Sequence, residues 1–208
     1  MSAVVKLLHS NPVFQPLSEA EQEEFASLAR GREVHKGEYL CHYGDDWPYL
    51  FMVAHGEIEA SKESAEGRSL LVTTLKANEI FWGLSFFDPQ LGMPVSLLAR
   101  KPSRVYLWNR ETCLPFLLQH GVLSWELSRL MVQRMLRASD MVEELAFQSV
   151  TGRLARLLLE QYPADQLSVE RYLTLDEMAA RIGTTREMVC RILYRFAAQG
   201  AIQINRTV

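Results

Sequence analysis

The sequence has few cysteines, and they lie far apart. Cys41, Cys113 and Cys190 are odd in number and widely spaced, which is atypical of a disulfide framework. No N-terminal apolar run has the form of a signal peptide, and none is long enough to span a membrane. We therefore expect a cytoplasmic protein with reduced thiols and no membrane partner.

The sequence also lacks the residue groupings of common catalytic sites. Its five histidines are scattered, whereas a cupin metalloenzyme would need closely spaced histidines such as His-x-His with a carboxylate. It has no nucleophile elbow, phosphate-binding loop or zinc-protease spacing. Cys41 and His42 would point to opposite faces of a strand, which is poor geometry for one metal. We predict no catalytic residue and no metal site, and keep a cupin-like enzyme only as an alternative of a different class.

Positive charge is scarce overall but concentrated near the C-terminus. The whole chain has a formal net charge of -3, whereas the part from Thr151 onward has eight arginines and six acidic residues, a net charge of +2. The overall charge does not indicate a polyanionic partner. Any argument for nucleic-acid binding must therefore come from the local arrangement of these arginines.

The N-terminal part has the pattern of a helix followed by many short strands. Ser18 precedes Glu19 and Glu21, as at a helix N-terminus. From about Gly31 to Trp108, short apolar or alternating runs such as 49–54, 57–61 and 69–75 are separated by glycine turns. This spacing predicts a β jelly roll or barrel, which we assign to residues 1–120.

A long helix is expected next, over residues 121–146. No glycine or proline occurs between 124 and 145, and six positions recur at alternating spacings of four and three, as in a heptad repeat. The stripe could pack against the strand domain of its own chain, or it could pair with a second copy. The candidate dimer-interface residues are Leu127, Met131, Arg134, Ala138, Met141 and Leu145.

Residues 147–208 have the pattern of a small helical domain. The segment 151–162 predicts a helix that ends before Pro163, and the following residues, 164–172, form a polar connection. Thr174 with Glu177, and Thr184 with Glu187, have the spacing of capping boxes, and each begins a run with one apolar face. The first run ends at Gly183. This pattern predicts a helix-turn-helix, and the alternating Ile202 and Ile204 predict a wing strand after it.

The second helix of this pair would expose charged residues. Its apolar stripe turns Arg186, Glu187 and Arg191 away from the core. In a helix-turn-helix such residues lie at base edges in the major groove, where arginine donates to guanine and glutamate accepts from cytosine. The alternative is a solvated helix face on which Glu187 pairs with Arg191.

The order of these parts resembles the cyclic-AMP receptor protein and fumarate-nitrate regulator superfamily. The similarity covers nearly the whole chain and is carried by segments 40–60, with glycine turns at Gly44 and Gly56, 145–161 and, most specifically, 173–202. It implies an α+β fold with a jelly roll, a long dimerisation helix and a winged helix-turn-helix. It also implies a bacterial homodimeric transcription regulator whose partners are double-stranded DNA, a second copy and RNA polymerase.

The resemblance also implies which residues contact DNA. Arg186, Glu187 and Arg191 match the base-reading positions of the cyclic-AMP receptor type, which implies palindromic sites with GTGA-like half-sites. Cys190 lies where the fumarate-nitrate type has a base-contacting serine. The full set of candidate DNA-contacting residues is Thr174, Thr184, Thr185, Arg186, Glu187, Cys190, Arg191 and Arg195.

The effector region departs from the cyclic-nucleotide pattern. The family's ribose-binding glutamate is replaced by Gly83, and its phosphate-binding Arg-Ser pair by Met93 and Pro94. A phosphate buried there would meet no cation, which is strongly unfavourable, so we expect an effector other than cyclic AMP. The candidate pocket residues are Trp82, Gly83, Leu84, Phe86, Met93, Pro94, Val95, Arg134, Ala138 and Ser139.

This apolar lining resembles the haem-dependent, nitric-oxide-sensing branch, and its alternative is an ordinary jelly-roll core. Haem is therefore a candidate cofactor. His9, His35, His42, His55 and His120 are candidate axial ligands, although none lies in a diagnostic motif. An effector bound near Arg134 is expected to change the pairing of the two long helices and thereby the spacing of the DNA-binding domains.

Overall fold

The computed structural model describes residues 2–65, 67–162 and 172–204. The chain divides into two compact units. The first comprises Met1–Lys62 and Val72–Arg137, and the second comprises Glu63–Leu71 and Ala138–Val208. Among the described residues, no helix has both the length and the apolar composition needed to cross a membrane.

The strands form two four-stranded sheets, with the orders β1-β8-β3-β6 and β2-β7-β4-β5. This is the predicted jelly-roll domain, and the strands expected at 49–54, 57–61 and 69–75 are confirmed. The strands are β1 (Arg30–Val34), β2 (Tyr39–Cys41), β3 (Tyr49–His55), β4 (Glu57–Glu63), β5 (Ser69–Lys76), β6 (Ile80–Trp82), β7 (Ser96–Ala99) and β8 (Ser103–Asn109).

Helices precede and follow the strands. Ser18 is the expected N-cap of the second helix, and with Glu21 it forms a reciprocal capping box that was not predicted. The first and third helices were not predicted, whereas the long fourth helix begins at the predicted residue 121 and ends one residue after the predicted residue 146. The helices are α1 (Ala3–Ser10), α2 (Glu19–Ser27), α3 (Arg110–Gln119), α4 (Gly121–Phe147), α5 (Val150–Gln161), α6 (Leu175–Ile182) and α7 (Arg186–Ala198).

Strand β3 is apolar along its length because both of its faces are buried. Leu50 and Met52 belong to an apolar cluster that also contains residues of α1 to α4. Phe51 and Val53 belong to a second cluster, shared by strands of the two sheets. Alternate side chains of a strand point to opposite faces, so the sheet that contains β3 has helices on one side and the other sheet on its opposite side.

The helix-covered face is fixed by aromatic packing. Phe25 of α2 stacks on Trp108 of β8, with ring centroids 5.0 Å apart. The Trp108 Nε1 donates a hydrogen bond of 2.8 Å to the Phe25 carbonyl oxygen. Leu123 and Leu127 of α4 are buried in the same cluster. The first half of α4 is therefore part of the core of the first unit.

This packing corrects two of the predicted dimer-interface residues. Leu127 is buried against the sheet, and Arg134 contacts β6 of its own chain, so neither faces a partner helix. A spacing of four and three marks an apolar side of a helix but does not say what covers it. Met131, Ala138 and Leu145 stay predictions. Met141 is half-buried whereas Val142 is 66% exposed, so Val142 is the better candidate at that place in the pattern.

The expected wing strand is not found in the described part of the tail. Residues 201–204 contain no strand, although Ile202 packs against the C-terminal apolar cluster. Of the polar connection predicted for residues 164–172, only residue 172 is described. The end of the tail, residues 205–208, lies outside the described residues.

Candidate nucleic-acid interface and effector region

Helix α6 begins and ends at local signals in the sequence. Thr174 and Glu177 form a reciprocal capping box, in which the Thr174 backbone N–H donates to Glu177 Oε2 at 2.8 Å and the Glu177 N–H donates to Thr174 Oγ1 at 3.1 Å. The helix ends at Gly183, whose φ of +62° is left-handed. A Cβ added there would come within 2.8 Å of Leu145 Cδ2. Both the backbone angle and this contact favour glycine at the turn.

Helix α7 begins one residue later than predicted. Its N-cap is Thr185, whose hydroxyl oxygen accepts a 3.3 Å hydrogen bond from the Met188 N–H. Thr184 cannot cap α7 because its own N–H donates to the Ala179 carbonyl and completes the end of α6. The predicted capping box of Thr184 and Glu187 is therefore wrong, because the turn between the helices needs one more residue.

Glu187 consequently lies in the first turn of α7. Hydrogen bonds to its carboxylate from its own backbone N–H and from the Thr185 hydroxyl hold its pKa below the ordinary value, and the neighbouring Arg186 adds to this effect. The carboxylate is therefore ionised at neutral pH and acts as a hydrogen-bond acceptor.

The apolar sides of α6 and α7 pack together as predicted. They form one cluster with α5, which leaves the opposite side of α7 in solvent. The buried residues of this cluster are Leu154, Leu157, Leu173, Met178, Ala179, Ile182, Val189, Ile192 and Leu193, with Leu175 and Phe196 half-buried at its margin.

Arg186, Glu187 and Arg191 are exposed on that opposite side. Arg186 makes an ion pair of 3.4 Å with Asp176, but both side chains are more than half exposed, so the pair is weak and easily exchanged. Arg191 makes no hydrogen bond or ion pair within the ranges that the structure describes, and the alternative Glu187–Arg191 pair is not formed there. Two guanidinium groups and one carboxylate are therefore available on the first two turns of α7.

The other candidate contact residues differ in their surroundings. Thr174 and Thr185 already serve as helix caps, and Cys190 is half-buried with a free thiol. Arg195 is exposed and donates a hydrogen bond to the Thr151 hydroxyl of α5. Arg186, Glu187 and Arg191 are thus exposed on one side of α7, whereas the other candidate residues serve as caps, are half-buried or bond to α5.

The role of Arg153 was not predicted from the sequence. Its side chain is buried, its Nε donates to the Ile182 carbonyl at 2.9 Å, and its Nη1 donates to the Gln148 carbonyl at 2.6 Å. The guanidinium therefore joins the start of α5 to the last turn of α6. An arginine within the otherwise apolar stripe of α5 was the only available signal.

Family comparisons agree with this geometry. A profile described as a Crp-like helix-turn-helix domain matches residues 152–208, and one described as a cyclic nucleotide-binding domain matches residues 31–120. The chain belongs to the cyclic-AMP receptor protein and fumarate-nitrate regulator superfamily. Proteins of this superfamily are DNA-binding transcription regulators.

Individual relatives are distant but extend over most of the chain. The chain is 26% identical over 176 residues to a CRP-like cAMP-activated global transcriptional regulator of Mycobacterium tuberculosis, covering 82% of this chain and 78% of that protein. It is 24% identical over 198 residues to the cyclic AMP receptor protein of Thermus thermophilus, covering 95% and 91% of the two chains.

The same fold occurs in a regulator that is named for another effector. The structure of the c-di-GMP responsive global regulator CLP of Xanthomonas campestris has a TM-score of 0.76 and 20% identity, covering 91% of this chain and 96% of that one. Since the named effectors of these proteins differ, membership of the superfamily does not identify the effector of this chain.

The region of the predicted effector pocket is closely packed around Gly83. A Cβ added to Gly83 would lie 2.8 Å from the Trp47 carbonyl oxygen and 2.9 Å from Met93 Sδ. The Trp47 N–H donates to the Ser85 hydroxyl at 2.9 Å, which fixes the backbone against this loop. No glutamate side chain could start from position 83 without displacing Trp47 or Met93.

Four of the ten candidate pocket residues belong to the apolar core rather than to the lining of an open space. Trp82 and Phe86 are buried in the helix-covered cluster, and Met93 and Val95 in the cluster shared by the two sheets. Leu84 is exposed and Pro94 half-buried. This arrangement supports the alternative that the aromatic run is mainly packing.

Arg134 is a half-buried cation at the edge of a sheet. Its Nη2 donates to the Ile80 carbonyl of the edge strand β6, and its guanidinium carbon lies 4.6 Å from the Trp82 ring centroid and 4.9 Å from that of Phe81. Burial lowers its pKa to about 10, with the nearby Glu79 acting in the opposite direction. The group remains charged at neutral pH and joins α4 to the strand that precedes Gly83.

These residues fit neither cyclic AMP nor haem. Met93 and Pro94 offer no cation for a phosphate, and Met93 fills the space beside Gly83. Among the described residues, no three histidine, cysteine or acidic side chains are grouped to hold a metal. The candidate axial histidines are exposed except for His120, which stacks on Phe116 at 3.9 Å.

Replacement of Arg153 by alanine should destabilise the C-terminal helices. It would leave the buried Ile182 carbonyl without its charged donor and remove the partly buried bond to the Gln148 carbonyl, at a cost of about 1.5–3 kcal/mol. Arg156→Ala is the matched control, because Arg156 lies one turn away and is exposed. Urea unfolding followed by circular dichroism measures both, and equal stability of the two variants would contradict the assigned role.

Replacement of Gly83 by alanine should also lower stability, by about 1–3 kcal/mol, because the added methyl group overpacks the site. Gly121→Ala is the control, since a Cβ there meets nothing within 4 Å. If both alanine variants unfold at the urea concentration of the parent protein, the space beside Gly83 is open and the close packing is wrong.

Proposed function

We propose that this member of the superfamily acts as a homodimer that reads a palindromic DNA site with GTGA-like half-sites. The observation that carries the proposal is the exposed group of Arg186, Glu187 and Arg191 on the first two turns of a helix whose other side is buried. A recognition helix needs this combination, because the helix must be rigidly held while its outward side chains meet base edges.

The chemistry of the three side chains suits base recognition. An arginine can donate two hydrogen bonds to guanine O6 and N7, and an ionised glutamate can accept from cytosine N4. Arg186 is held only by a weak surface pair, and Arg191 by no described residue. Little interaction within the protein therefore has to be broken before these side chains contact DNA.

A palindromic site requires two copies of α7, and α4 offers a surface to pair them. Met135 and Val142 are 65% and 66% exposed and lie in heptad spacing with three residues of the predicted interface. We define this set as the seam: Met131, Met135, Ala138, Val142 and Leu145. Met135 and Val142 take the places that the sequence pattern assigned to Arg134 and Met141.

We propose an effector other than cyclic AMP, because the residues at the ribose and phosphate positions are Gly83 and Met93. Arg134 joins α4 to β6, so a ligand that moves the segment after β6 would change the position of α4 and thereby helix pairing. RNA polymerase is the third partner we expect for such a regulator. A haem-dependent function gains no support from the positions of the histidines.

Arg191→Ala should weaken binding to the preferred duplex by about 1–3 kcal/mol and relax selectivity at one base pair in each half-site. Selected palindromic duplexes, each with one base pair altered, would be titrated by fluorescence anisotropy at fixed salt. Arg30→Ala, on the exposed surface of β1, is the control. An equal loss on all duplexes would instead assign Arg191 to a phosphate contact.

Met135→Glu should weaken the dimer at least about tenfold, because it places a charge at the middle of an apolar seam. Gln133→Glu introduces the same charge at an exposed position of the same helix and should have little effect. Sedimentation velocity over a range of protein concentrations measures the dissociation constants. A monomeric parent protein, or unchanged dimerisation of Met135→Glu, would rule out this seam.

A further inference from the structure

Helix α4 is apolar on more sides than one sheet and one partner helix can cover. Leu123 and Leu127 pack on the sheet of their own unit, and the seam defined above occupies a second side. Trp125, Val132 and Leu136 form a third apolar side and are 66%, 51% and 57% exposed. At about 100° per residue, they lie within about 40° of one another and roughly opposite Leu127.

An uncovered apolar strip of this kind indicates an interaction surface. At the same 100° per residue, the seam is centred about 60° from the sheet-facing side and about 120° from the third side. Covering the third side therefore requires a surface beside the partner helix rather than the partner helix itself. This step rests on the proposed homodimer.

The symmetry of such a dimer indicates which part of the partner lies beside the third side of α4. A two-fold axis parallel to a pair of parallel helices turns the partner by half a turn. The sheet unit of each subunit then lies on the side of the helix pair opposite to that of the other. Because the third side of α4 points away from its own sheet, it points toward the partner's sheet unit.

An exposed apolar patch follows β6 in that unit. Leu84 and Phe87 are 42% and 54% exposed, and the Phe87 N–H donates to the Leu84 carbonyl, which holds them in one turn. The Phe87 ring lies edge-on to Trp82 at 6.2 Å, and Trp82 lies under the Arg134 guanidinium. The patch is thus beside α4 near the height of Arg134.

Parallel helices in register bring equal residue numbers to equal heights. The partner's Val132 and the partner's Leu136 would therefore lie at the height of Arg134 and of this patch. The flanking charges are also complementary, since Asp88 follows the patch and Arg129 flanks the third side of α4, both exposed.

We propose that Trp125, Val132 and Leu136 form a second dimer contact with the partner's Leu84 and the partner's Phe87. The contact forms twice because of the two-fold symmetry. The seam has only five residues, one of them alanine, which is short for a two-stranded coiled coil. The second contact adds apolar area toward the roughly 1,000 Å² that a specific interface needs. It also places the partner helix against the segment that contains Gly83.

The test compares charge substitutions on the two sides of the contact. Leu136→Glu and Phe87→Glu should each weaken the dimer at least about tenfold, measured by sedimentation velocity on the full chain. Gln133→Glu is the control on α4, and Tyr43→Glu is the control on the sheet unit, because Tyr43 is a 68% exposed aromatic residue elsewhere in that unit. Both controls should dimerise like the parent, and circular dichroism checks that all variants fold.

A cross-linking experiment tests the contact independently of affinity. Phe87→Cys and Leu136→Cys would be combined with Cys190→Ser, since the other two native cysteines are buried. A short bifunctional thiol reagent should then yield covalent dimers, whereas the pair Tyr43→Cys and Leu136→Cys should not.

The outcomes separate this inference from the proposed homodimer. If Met135→Glu weakens the dimer but Leu136→Glu and Phe87→Glu do not, and no cross-link forms, the second contact is wrong and the seam stands. If the parent protein is monomeric, or none of the three substitutions affects dimerisation, the proposed dimer fails and the second contact fails with it.

Discussion

The candidate DNA-binding surface depends on one packing constraint, the burial of one side of α6 and one side of α7 against α5. Met178, Val189 and Ile192 lie on the buried sides, and the helical period then leaves Arg186 and Arg191 in solvent. The buried Arg153 reinforces this arrangement by joining the beginning of α5 to the end of α6. Because the apolar sides of the helices are buried, the arginine side chains point into solvent, where they can form hydrogen bonds to base edges.

In the first unit, close packing fills space around Gly83 instead of exposing charged side chains. The jelly roll retains the architecture of a cyclic nucleotide-binding domain, but Trp47 and Met93 occupy the space around Gly83. A sensor fold is thus kept while the groups that would bind a ribose phosphate are absent. Arg134 stays at the junction of α4 and β6, where it is held by the Ile80 carbonyl and two aromatic rings. Its position connects this packed region to the helix that we propose as the dimer interface.

Local features were predicted well because they depend on neighbouring residues. The N-cap at Ser18, the capping box at Thr174, the turn at Gly183 and the apolar sides of α6 and α7 all appear as expected. The cap of α7 was misplaced by one residue because the N–H of Thr184 belongs to the end of the preceding helix. Helix α3 was not predicted because Pro115 lies inside it, and α1 has only eight residues.

By itself, the sequence determined the order of the elements, the helix-turn-helix and the identity of its outward residues, because hydrogen-bonded caps and the period of 3.6 residues act over short distances. The tertiary structure decided which side of α4 meets the sheet, that Arg134 turns toward β6, and that Met93 fills the space beside Gly83. An apolar stripe or an aromatic run indicates only that another part of the protein, or a partner, covers these side chains. What covers it is set by elements far away in the chain, and these come together only in the fold.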